Sequence, residues 1–448
     1  MRVSRGLRRI GRVLAYVLVF MPLVIAVLVV SSPLILRHMV NTRIADIRAR
    51  GEPITPADLA GPKIPDSQNG AEVYQKIFER LKEPQFSKDR EILAEFLSSR
   101  KRAENPELWD DARDIVARYE WALPMMEEAV SRPKCRFPVD WNAPPLEIKF
   151  PHLKKIQYLS KLLATRAFIR AENGKMSEAV RSVELGLKLG DSLRDESYLV
   201  SQLVRLSTLG ITCDSLREVL SHGRISDSEA EHVSDALGRI DLSSSLRLGL
   251  KGERAMWNLY LDQLRTDPGK LDDKTSTDTR PGAFWTTFVY ANQLQYLKAM
   301  DKYIQFAGMP YREARTKLKS MDAPWPLFIA DILLPSGQCD RWGTAEAKLA
   351  GSRIVLALTA YSQRFGLYPD SLEDLEKRVG WRLPEDPFSG KPFIYKRKDK
   401  GFIFYSIGPN LRDDGGLSEE EIERNHQLLP PPRPPRSDDY DIVWEMDH

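Results

Sequence analysis

The sequence predicts a mainly α-helical protein with an N-terminal transmembrane helix and a small C-terminal α+β module. Three observations lead to this fold class: an uncharged apolar run near the N-terminus, apolar residues at helical spacing through the middle of the chain, and two β-prone runs near the C-terminus. A chain of 448 residues is long enough for two or three domains. We therefore expect an anchor, a helical body and a terminal module, in that order.

The residues at 13–36, VLAYVLVFMPLVIAVLVVSSPLIL, include no charged side chain. About 24 residues at about 1.5 Å each give roughly 36 Å of helix, which is enough to cross a hydrocarbon core of about 30 Å. The run is longer than the apolar core of a cleaved signal peptide. The sequence therefore predicts an uncleaved, single-pass transmembrane helix.

The orientation of this predicted anchor follows from its flanks. The arginines that precede the apolar run are Arg2, Arg5, Arg8, Arg9 and Arg12. The positive-inside rule places a basic tail of residues 1–12 in the cytoplasm and the rest of the chain on the other side of the membrane. We therefore predict a protein of the cell inner membrane, with the membrane as a partner and the bulk of the chain in the periplasm. Residues 37–66 are rich in Pro and Gly and predict a linker.

A helical domain is predicted over residues 67–335. Asn69 is expected to cap its first helix with Glu72 as capping-box partner, and Ser226 and Glu229 form the same sequence pattern further on. Between these signals, apolar residues recur every three or four positions, which is typical of helices that bury one face. We expect a protein partner to bind this domain.

The clearest predicted helix pair covers residues 159–189. Small residues at Ala167 and Ala179, with a turn around Gly174, allow two antiparallel helices to pack closely. The stretch is similar to one tetratricopeptide repeat, which it matches at these three positions and at Leu189. A second copy does not follow, and a repeat array needs about three. An ordinary helix pair and a repeat-like partner-binding surface are both open interpretations.

The residues at 344–448 predict a small α+β module. A helix is expected from Thr344 to Phe365, and Gly366 ends it. The β-prone runs 393–396 and 402–406 are joined by a charged turn and predict a hairpin. The hairpin is followed by a loop that is dense in Asn, Asp and Gly.

The order of motifs in this module, YPDSLEDL, LPEDPFSGKPFIY, FYSIGPNLRDDGG and DIVW, resembles the globular C-terminal domain of the major (G-type) pseudopilin of type II secretion systems. The resemblance implies a structural calcium ion bound by the carbonyl oxygen of Ile407, by Asn410 and by Asp441. Asn410 stands where that family usually has Asp. Asp413 and Asp414 are close enough in the chain to restore the missing negative charge.

The residue types in the loop are also compatible with a bound cation, independently of the resemblance. Calcium takes about six to eight oxygen ligands from carboxylates, amides and backbone carbonyls. Gly408, Gly415 and Gly416 let the backbone bend so that such oxygens converge, and Asp413 and Asp414 would repel each other without a counter-charge. The alternative interpretation is a solvated acidic turn that binds nothing.

The chain departs from pseudopilins near its N-terminus. Its apolar run contains no glutamate, Asp46 is the first acidic residue, and a long helical domain separates the predicted anchor from the module. Assembly into a pilus is therefore not expected. The overall layout resembles uncharacterised bacterial membrane-anchored proteins that carry this module.

The charge balance and the motifs limit the function. The net charge is only +3, because 66 Lys and Arg residues are matched by 63 Asp and Glu residues, so nucleic acid is not an expected partner. Cys135, Cys213 and Cys339 are far apart and are expected as buried free thiols, or with one pair bridged in an oxidising compartment.

No serine-hydrolase, zinc-protease, P-loop or paired Cys-x-x-Cys motif occurs in the sequence. We therefore expect a non-enzymatic interaction or scaffold protein. Two alternatives are open: an envelope hydrolase that uses carboxylates alone, which leaves no motif, and an accessory component of a type II secretion-like system.

Overall fold

The computed structural model describes residues 20–21, 31–267, 269, 282–320, 338–417 and 441–447, which form a mainly helical protein with one small sheet. Helix α1 covers residues 31–49. The helices that follow are α2 Gly70–Arg80, α3 Gln85–Phe96, α4 Ser99–Glu104, α5 Leu108–Tyr119, α6 Ala122–Ser131, α7 Pro151–Glu172, α8 Met176–Asp191, α9 Leu199–His222, α10 Asp227–Gly238, α11 Leu242–Thr266, α12 Ala283–Phe306, α13 Tyr311–Lys319, α14 Gln338–Phe365 and α15 Leu372–Val379. The strands are β1 Ile394–Arg397, β2 Gly401–Ser406 and β3 Ile442–Asp447.

Helix α1 lies against α12. The hydroxyl of Ser32 is 3.0 Å from that of Thr287, and the guanidinium of Arg43 is 2.6 Å from the carboxylate of Asp301. Val40 of α1 is buried in the protein core between these two contacts. The helix is therefore part of the folded body along its described length.

This arrangement corrects the prediction of a transmembrane helix at 13–36. Within the ranges that the structure describes, no helix is both long and apolar enough to cross a bilayer. The basic tail and most of the predicted span, residues 1–19 and 22–30, lie outside these ranges. The described end of the span belongs to α1, where Leu36 packs against the core. The predictions of an inner-membrane location, a periplasmic orientation and the membrane as partner depended on this span and are corrected with it.

The predicted linker at 37–66 also differs from the structure. Its first part continues α1 to residue 49, and Ile54 is buried in the core. Short 3₁₀ turns at Pro56–Leu59 and Asp66–Gln68 follow. The segment packs on the helical body because apolar side chains such as Ile54 are buried there. Its Pro and Gly residues mark turns within the segment.

Two hydrophobic cores form the helical body. The first core lies between α2–α6 and one face of α7 and α8, with Ile77, Phe96 and Leu159 fully buried. The second core joins α1, the other face of α7 and α8, the helices from α9 onward and the sheet. Helix α7 is buried along most of its length because it lies between the two cores.

Local signals set several helix ends. Ser226 and Glu229 form the predicted capping box at α10, in which the serine N–H donates to Glu229 Oε2 at 2.9 Å and its hydroxyl accepts from the Glu229 N–H at 3.2 Å. Asn69 caps α2 by accepting from the Ala71 N–H, but Glu72 forms no capping box there. The predicted pair at 159–189 corresponds to α7 and α8.

The sheet is antiparallel, in the order β1-β2-β3. Phe404 of β2 pairs with Tyr395 on one side and with Trp444 on the other. Helix α14 packs both on this sheet and on α9 and α10, and the Lys348 ammonium reaches the Asp214 carboxylate of α9 at 2.7 Å. The predicted module at 344–448 therefore shares one hydrophobic core with the helical domain at 67–335, because α14 packs against both.

Candidate functional site: the terminal loop and the basic cleft

The five residues predicted to bind a metal follow β2 or directly precede β3. They are Ile407, Asn410, Asp413, Asp414 and Asp441. The antiparallel pairing of β2 with β3 brings the two ends together. Asn410 Nδ2 donates to Asp414 Oδ2 at 2.6 Å, and the Asp414 N–H donates to Asp441 Oδ2 at 3.1 Å. The structure thus links three of the five residues by hydrogen bonds, while the Ile407 side chain packs against the core.

Asp441 is the buried member of this group, with 1% of its surface exposed. Its Oδ2 also accepts from the Gly416 N–H at 2.8 Å, whereas its Oδ1 has no hydrogen-bond partner among the described residues. Burial, together with the charges of Asp414 and Asp413, raises the pKa of Asp441 to about 6, although its two backbone donors act in the opposite direction. A buried carboxylate with one free oxygen can be stabilised by a proton or by a cation.

The other polar groups of the loop already have protein partners. Asp413 Oδ1 accepts from the Tyr405 hydroxyl and from the Gly415 N–H, each at 3.0 Å. Asn410 Oδ1 accepts from the Arg412 N–H at 2.8 Å. Across the described ranges, no three or more His, Cys, Asp or Glu side chains are grouped so that they could hold a metal ion. Calcium binding by this loop therefore stays a prediction.

A cleft of about 450 Å³ opens between the helical body and the hairpin. Its lining comes from the end of α9 with the loop that follows it (the α9 wall), from the end of α14 (the floor) and from the turn between β1 and β2 (the hairpin wall). We call it the basic cleft, after the four side chains Arg224, Arg397, Lys398 and Lys400 that line it. Its volume lies in the usual range for ligand pockets, about 300–1,000 Å³.

Two of the four basic side chains have counter-ions. The Arg397 guanidinium is 2.6 Å from the Asp370 carboxylate, and the Lys398 ammonium pairs with Glu445. Arg224 and Lys400 are exposed, and neither forms an ion pair with any residue that the structure describes. Among the described residues, each of these two walls therefore carries a positive charge without a counter-ion.

The floor of the basic cleft is tied to the wall above it. The Gln363 side-chain amide, oriented so that both of its groups are satisfied, donates to the Ile225 carbonyl at 2.8 Å and accepts from the Ile225 N–H at 3.2 Å. This pair fixes the loop that carries Arg224. Thr359 on the floor is buried, and its hydroxyl has no hydrogen-bond partner among the described residues.

His222 lines the same cleft but is already engaged. Its Nδ1 donates to the Glu218 carbonyl at 2.7 Å, and its Nε2 lies 2.9 Å from the Glu172 carboxylate. Both ring nitrogens therefore have partners. This histidine forms part of the wall, and the geometry does not present it as a general base.

A second polar cluster is buried between α7 and α9. Glu196 Oε2 lies 3.2 Å from His152 Nε2 and accepts from the Ser201 hydroxyl at 2.7 Å. In a catalytic triad the serine contacts the histidine, and the histidine contacts the acid. Here both side chains meet the carboxylate, and His152 and Ser201 are buried at 2% and 0% exposure. The cluster therefore joins helices rather than presenting a nucleophile.

The nearby thiol of Cys135 is also unreactive by its environment. Burial raises its pKa well above the ordinary value, and the charges of Glu196 and Asp195 raise it further. A raised pKa favours the protonated thiol, which is a weaker nucleophile and metal ligand than the thiolate. Cys135 and Cys213 are both free thiols.

A half-buried carboxylate, Glu346, lies outside these sites. Glu346 lines a narrow apolar groove of about 30 Å³ between α11, α12, α13 and α14. Burial, with a contribution from the charge of Asp241, raises the pKa of Glu346 to about 7. The groove has room for only one or two water molecules, so it does not fit an organic ligand.

Patterns in the sequence do not by themselves predict the basic cleft or a raised pKa at Glu346. Arg224, Gln363 and Lys400 are far apart in the chain, and each stands in an ordinary polar context. The charged turn at 396–400 is the one sequence signal that points to the cleft, and it is equally typical of a plain hairpin. Only the packing of α14 between the helices and the sheet brings these residues together.

No protein-family model matches the chain, and no curated protein and no solved structure shows significant similarity to it.

Proposed function

We propose that this protein is a non-enzymatic interaction protein that holds a segment of a partner protein in the basic cleft. The observation that carries the proposal is the cleft itself, which lies open between α9, α14 and the β1–β2 turn. Two of its basic side chains, Arg224 and Lys400, lack counter-ions among the described residues. Positive charges that the described residues leave without counter-ions can attract an oppositely charged partner.

Two further features support binding rather than catalysis at this place. His222 has both ring nitrogens engaged, and Gln363 is used to fix the neighbouring loop. The lining thus combines a floor that hydrogen bonds hold to the neighbouring loop with polar side chains on the walls. A general base paired with a nucleophile does not occur among the described lining residues.

The terminal module has a supporting role in this proposal. Helix α14 forms the floor of the basic cleft and also packs on the sheet, so the sheet fixes the position of the wall that carries Lys400. The resemblance to the pseudopilin domain stays a prediction, and so does an accessory role in a secretion system. A cation in the terminal loop would act structurally, by stabilising the connection between β2 and β3.

Site-specific photo-crosslinking tests the proposal. A photo-reactive residue replaces Leu367, an exposed side chain of the basic cleft, and in a control it replaces Leu146, which is exposed but outside the cleft. The two proteins are produced and irradiated in the cells that make the natural protein, and adducts are identified by mass spectrometry. We expect one discrete partner from position 367 and none from position 146.

A steric variant makes this test specific. Ser221→Trp places a large ring in the basic cleft at an exposed position on its wall. If a partner segment enters the cleft, the adduct from position 367 disappears in this variant while circular dichroism shows an unchanged fold. An adduct that persists, or one that forms equally from both positions, contradicts the proposal.

A further inference from the structure

We propose that the segment bound in the basic cleft is acidic, so that its Asp or Glu side chains pair with Arg224 and Lys400. This inference rests on the proposed function and names the chemistry of the partner. Arg224 lies on the α9 wall and Lys400 lies on the hairpin wall. A chain that passes between the walls can therefore contact both positive charges.

The two cations differ from the other basic side chains of the cleft. Arg397 and Lys398 are already paired with Asp370 and Glu445. Asp399 is the one carboxylate among the described lining residues, so it does not balance both Arg224 and Lys400. A ligand with several carboxylates supplies the missing counter-charge, whereas a basic segment would meet repulsion on both walls.

The rest of the lining fits a peptide better than a small inorganic anion. Leu367 is 46% exposed and provides apolar surface at the edge of the cleft, above the buried side chains of Leu220 and Tyr368. An acidic peptide offers carboxylates for the walls and carbon chain for this surface. Phosphate ions offer only the charge.

The charge contacts are solvent-exposed, so each contributes modestly. An exposed ion pair changes affinity by about two- to fivefold. Loss of both charges is therefore expected to weaken binding by about tenfold, and the affinity should fall as salt is added because exposed charges are screened. Fast, salt-sensitive binding is the expected behaviour.

Fluorescence anisotropy with the full-length protein tests the inference. The probe is a labelled ten-residue peptide in which Glu alternates with Ser and Leu. Its comparison peptide carries Gln in place of every Glu. We expect saturable binding of the acidic peptide, binding of the Gln peptide that is weaker by about tenfold or more, and a lower affinity at 300 mM than at 50 mM salt.

Matched variants assign the effect to the basic cleft. The double variant Arg224→Gln with Lys400→Gln removes two positive charges from the cleft, and Arg341→Gln with Lys76→Gln removes two exposed charges elsewhere. Only the first pair should lose about tenfold in affinity. The inference is overturned by equal losses in both pairs, by equal binding of the two peptides, or by no saturable binding of the acidic peptide to the natural protein.

Three further outcomes are distinct. Tighter binding of a single-stranded oligonucleotide of equal charge would overturn the peptide assignment in favour of a general polyanion surface. If the crosslinked partner from position 367 is obtained but the acidic peptide is not preferred, the proposed function stands and only the acidic specificity fails. If position 367 gives no partner, the proposed function itself fails.

Discussion

The guanidinium of Arg254 lies 2.6 Å from the carboxylate of Asp301, although the arginine side chain is completely buried. Its other nitrogen lies 2.8 Å from the carboxylate of Glu52. One cation therefore joins three parts of the chain: α11, α12 and the segment after α1. Arg43 and Arg50 of the N-terminal region also reach Asp301, so this network holds α1 on the helical body.

Replacement of Arg254 should destabilise the protein strongly. Arg254→Met keeps the bulk of the side chain but leaves Glu52 and Asp301 near each other with less counter-charge. Loss of one member of a buried ion pair typically costs about 3–5 kcal/mol. We expect a fall of about 3 kcal/mol in the free energy of unfolding, measured by urea denaturation. An effect below about 1 kcal/mol would show that the network contributes little.

Glu52 should make the stability depend on acid pH. Burial by itself would raise its pKa, but the hydrogen bonds and charges of Arg254 and Lys251 outweigh this and lower the pKa to about 2. The lowered pKa stabilises the folded state above the ordinary value of 4.5, and this stabilisation is lost as the pH falls through 2. Between pH 5 and pH 2, the natural protein should therefore lose more stability than Glu52→Gln. Parallel losses in the two proteins would contradict this assignment.

Glu346 should have the opposite pH dependence. Its folded-state pKa of about 7 is above the ordinary value of 4.5, so the folded state binds the proton more tightly than the unfolded state. The stability from this group is present at low pH and is lost as the pH rises through 7. Glu346→Gln should match the natural protein at pH 4 and exceed it at pH 8.5, by on the order of 2 kcal/mol.

Thermal unfolding at the two pH values measures this difference. Asp235→Asn, which removes an exposed charge on α10, is the control and should show no such change with pH. A Glu346→Gln variant that is less stable than the natural protein at pH 8.5 would mean that the carboxylate has a stabilising partner when ionised.

Calcium should stabilise the protein through the terminal loop if the free oxygen of Asp441 receives a cation. About 1 mM calcium would then raise the free energy of unfolding by about 0.4–1.4 kcal/mol, for dissociation constants of about 10⁻³–10⁻⁴ M. Differential scanning calorimetry of the full chain at pH 7.5, with and without calcium, measures the shift. Asp441→Asn should abolish it, and Asp110→Asn, an exposed acid on α5, should keep it.

Without calcium, Asp441→Asn should be more stable than the natural protein at pH 7.5. The pKa of Asp441 is raised to about 6, so its contribution to stability is present at low pH and is lost as the pH rises through 6. Asparagine carries no charge and avoids that loss. A natural protein whose melting is unchanged by calcium would show that the loop is a plain acidic turn.

The contact between α14 and the sheet should depend on a glycine. A Cβ at Gly351 would lie 2.3 Å from the ring of Trp444, which stacks on Phe404 with ring centroids 5.0 Å apart. Gly351→Ala should therefore cost about 1–3 kcal/mol of stability. Gly210→Ala in α9 is the control, because its nearest neighbour is Lys348 Cδ at 3.8 Å, and alanine there should stabilise by about 0.5–1 kcal/mol.

A double variant checks the cause of the Gly351 effect. Trp444→Phe removes part of the ring that the new methyl group would strike. If overlap with this ring is the reason, Gly351→Ala should cost less in the Trp444→Phe background than in the natural protein. Equal costs in both backgrounds would place the strain elsewhere on α14.

Local patterns in the sequence predicted the structure correctly where contacts among a few neighbouring residues determine it. The capping box of Ser226 and Glu229, the turn at Gly174 and the hairpin of β1 with β2 each depend on contacts within a short stretch. The apolar run near the N-terminus led to the wrong prediction of a transmembrane helix. Apolarity indicates burial but not the surroundings that provide it. In the described end of that run, Ser32 contacts Thr287 of α12 and Leu36 packs against the core, while Leu34 and Ile35 are exposed.

Residue patterns predicted most helices of the body and the hairpin of β1 with β2. The grouping of Asn410, Asp414 and Asp441 came from the resemblance to the pseudopilin domain, and hydrogen bonds link these three residues. By contrast, the packing of distant segments was needed to show that α14 belongs to both the helical body and the sheet, that Arg254 is buried beside Glu52 and Asp301, and that Arg224 and Lys400 line one cleft. The physical reason is the separation along the chain of the residues that make each contact. Helix caps, turns and strand pairing follow from neighbouring residues, whereas a cleft or a buried ion pair depends on how distant segments share one core.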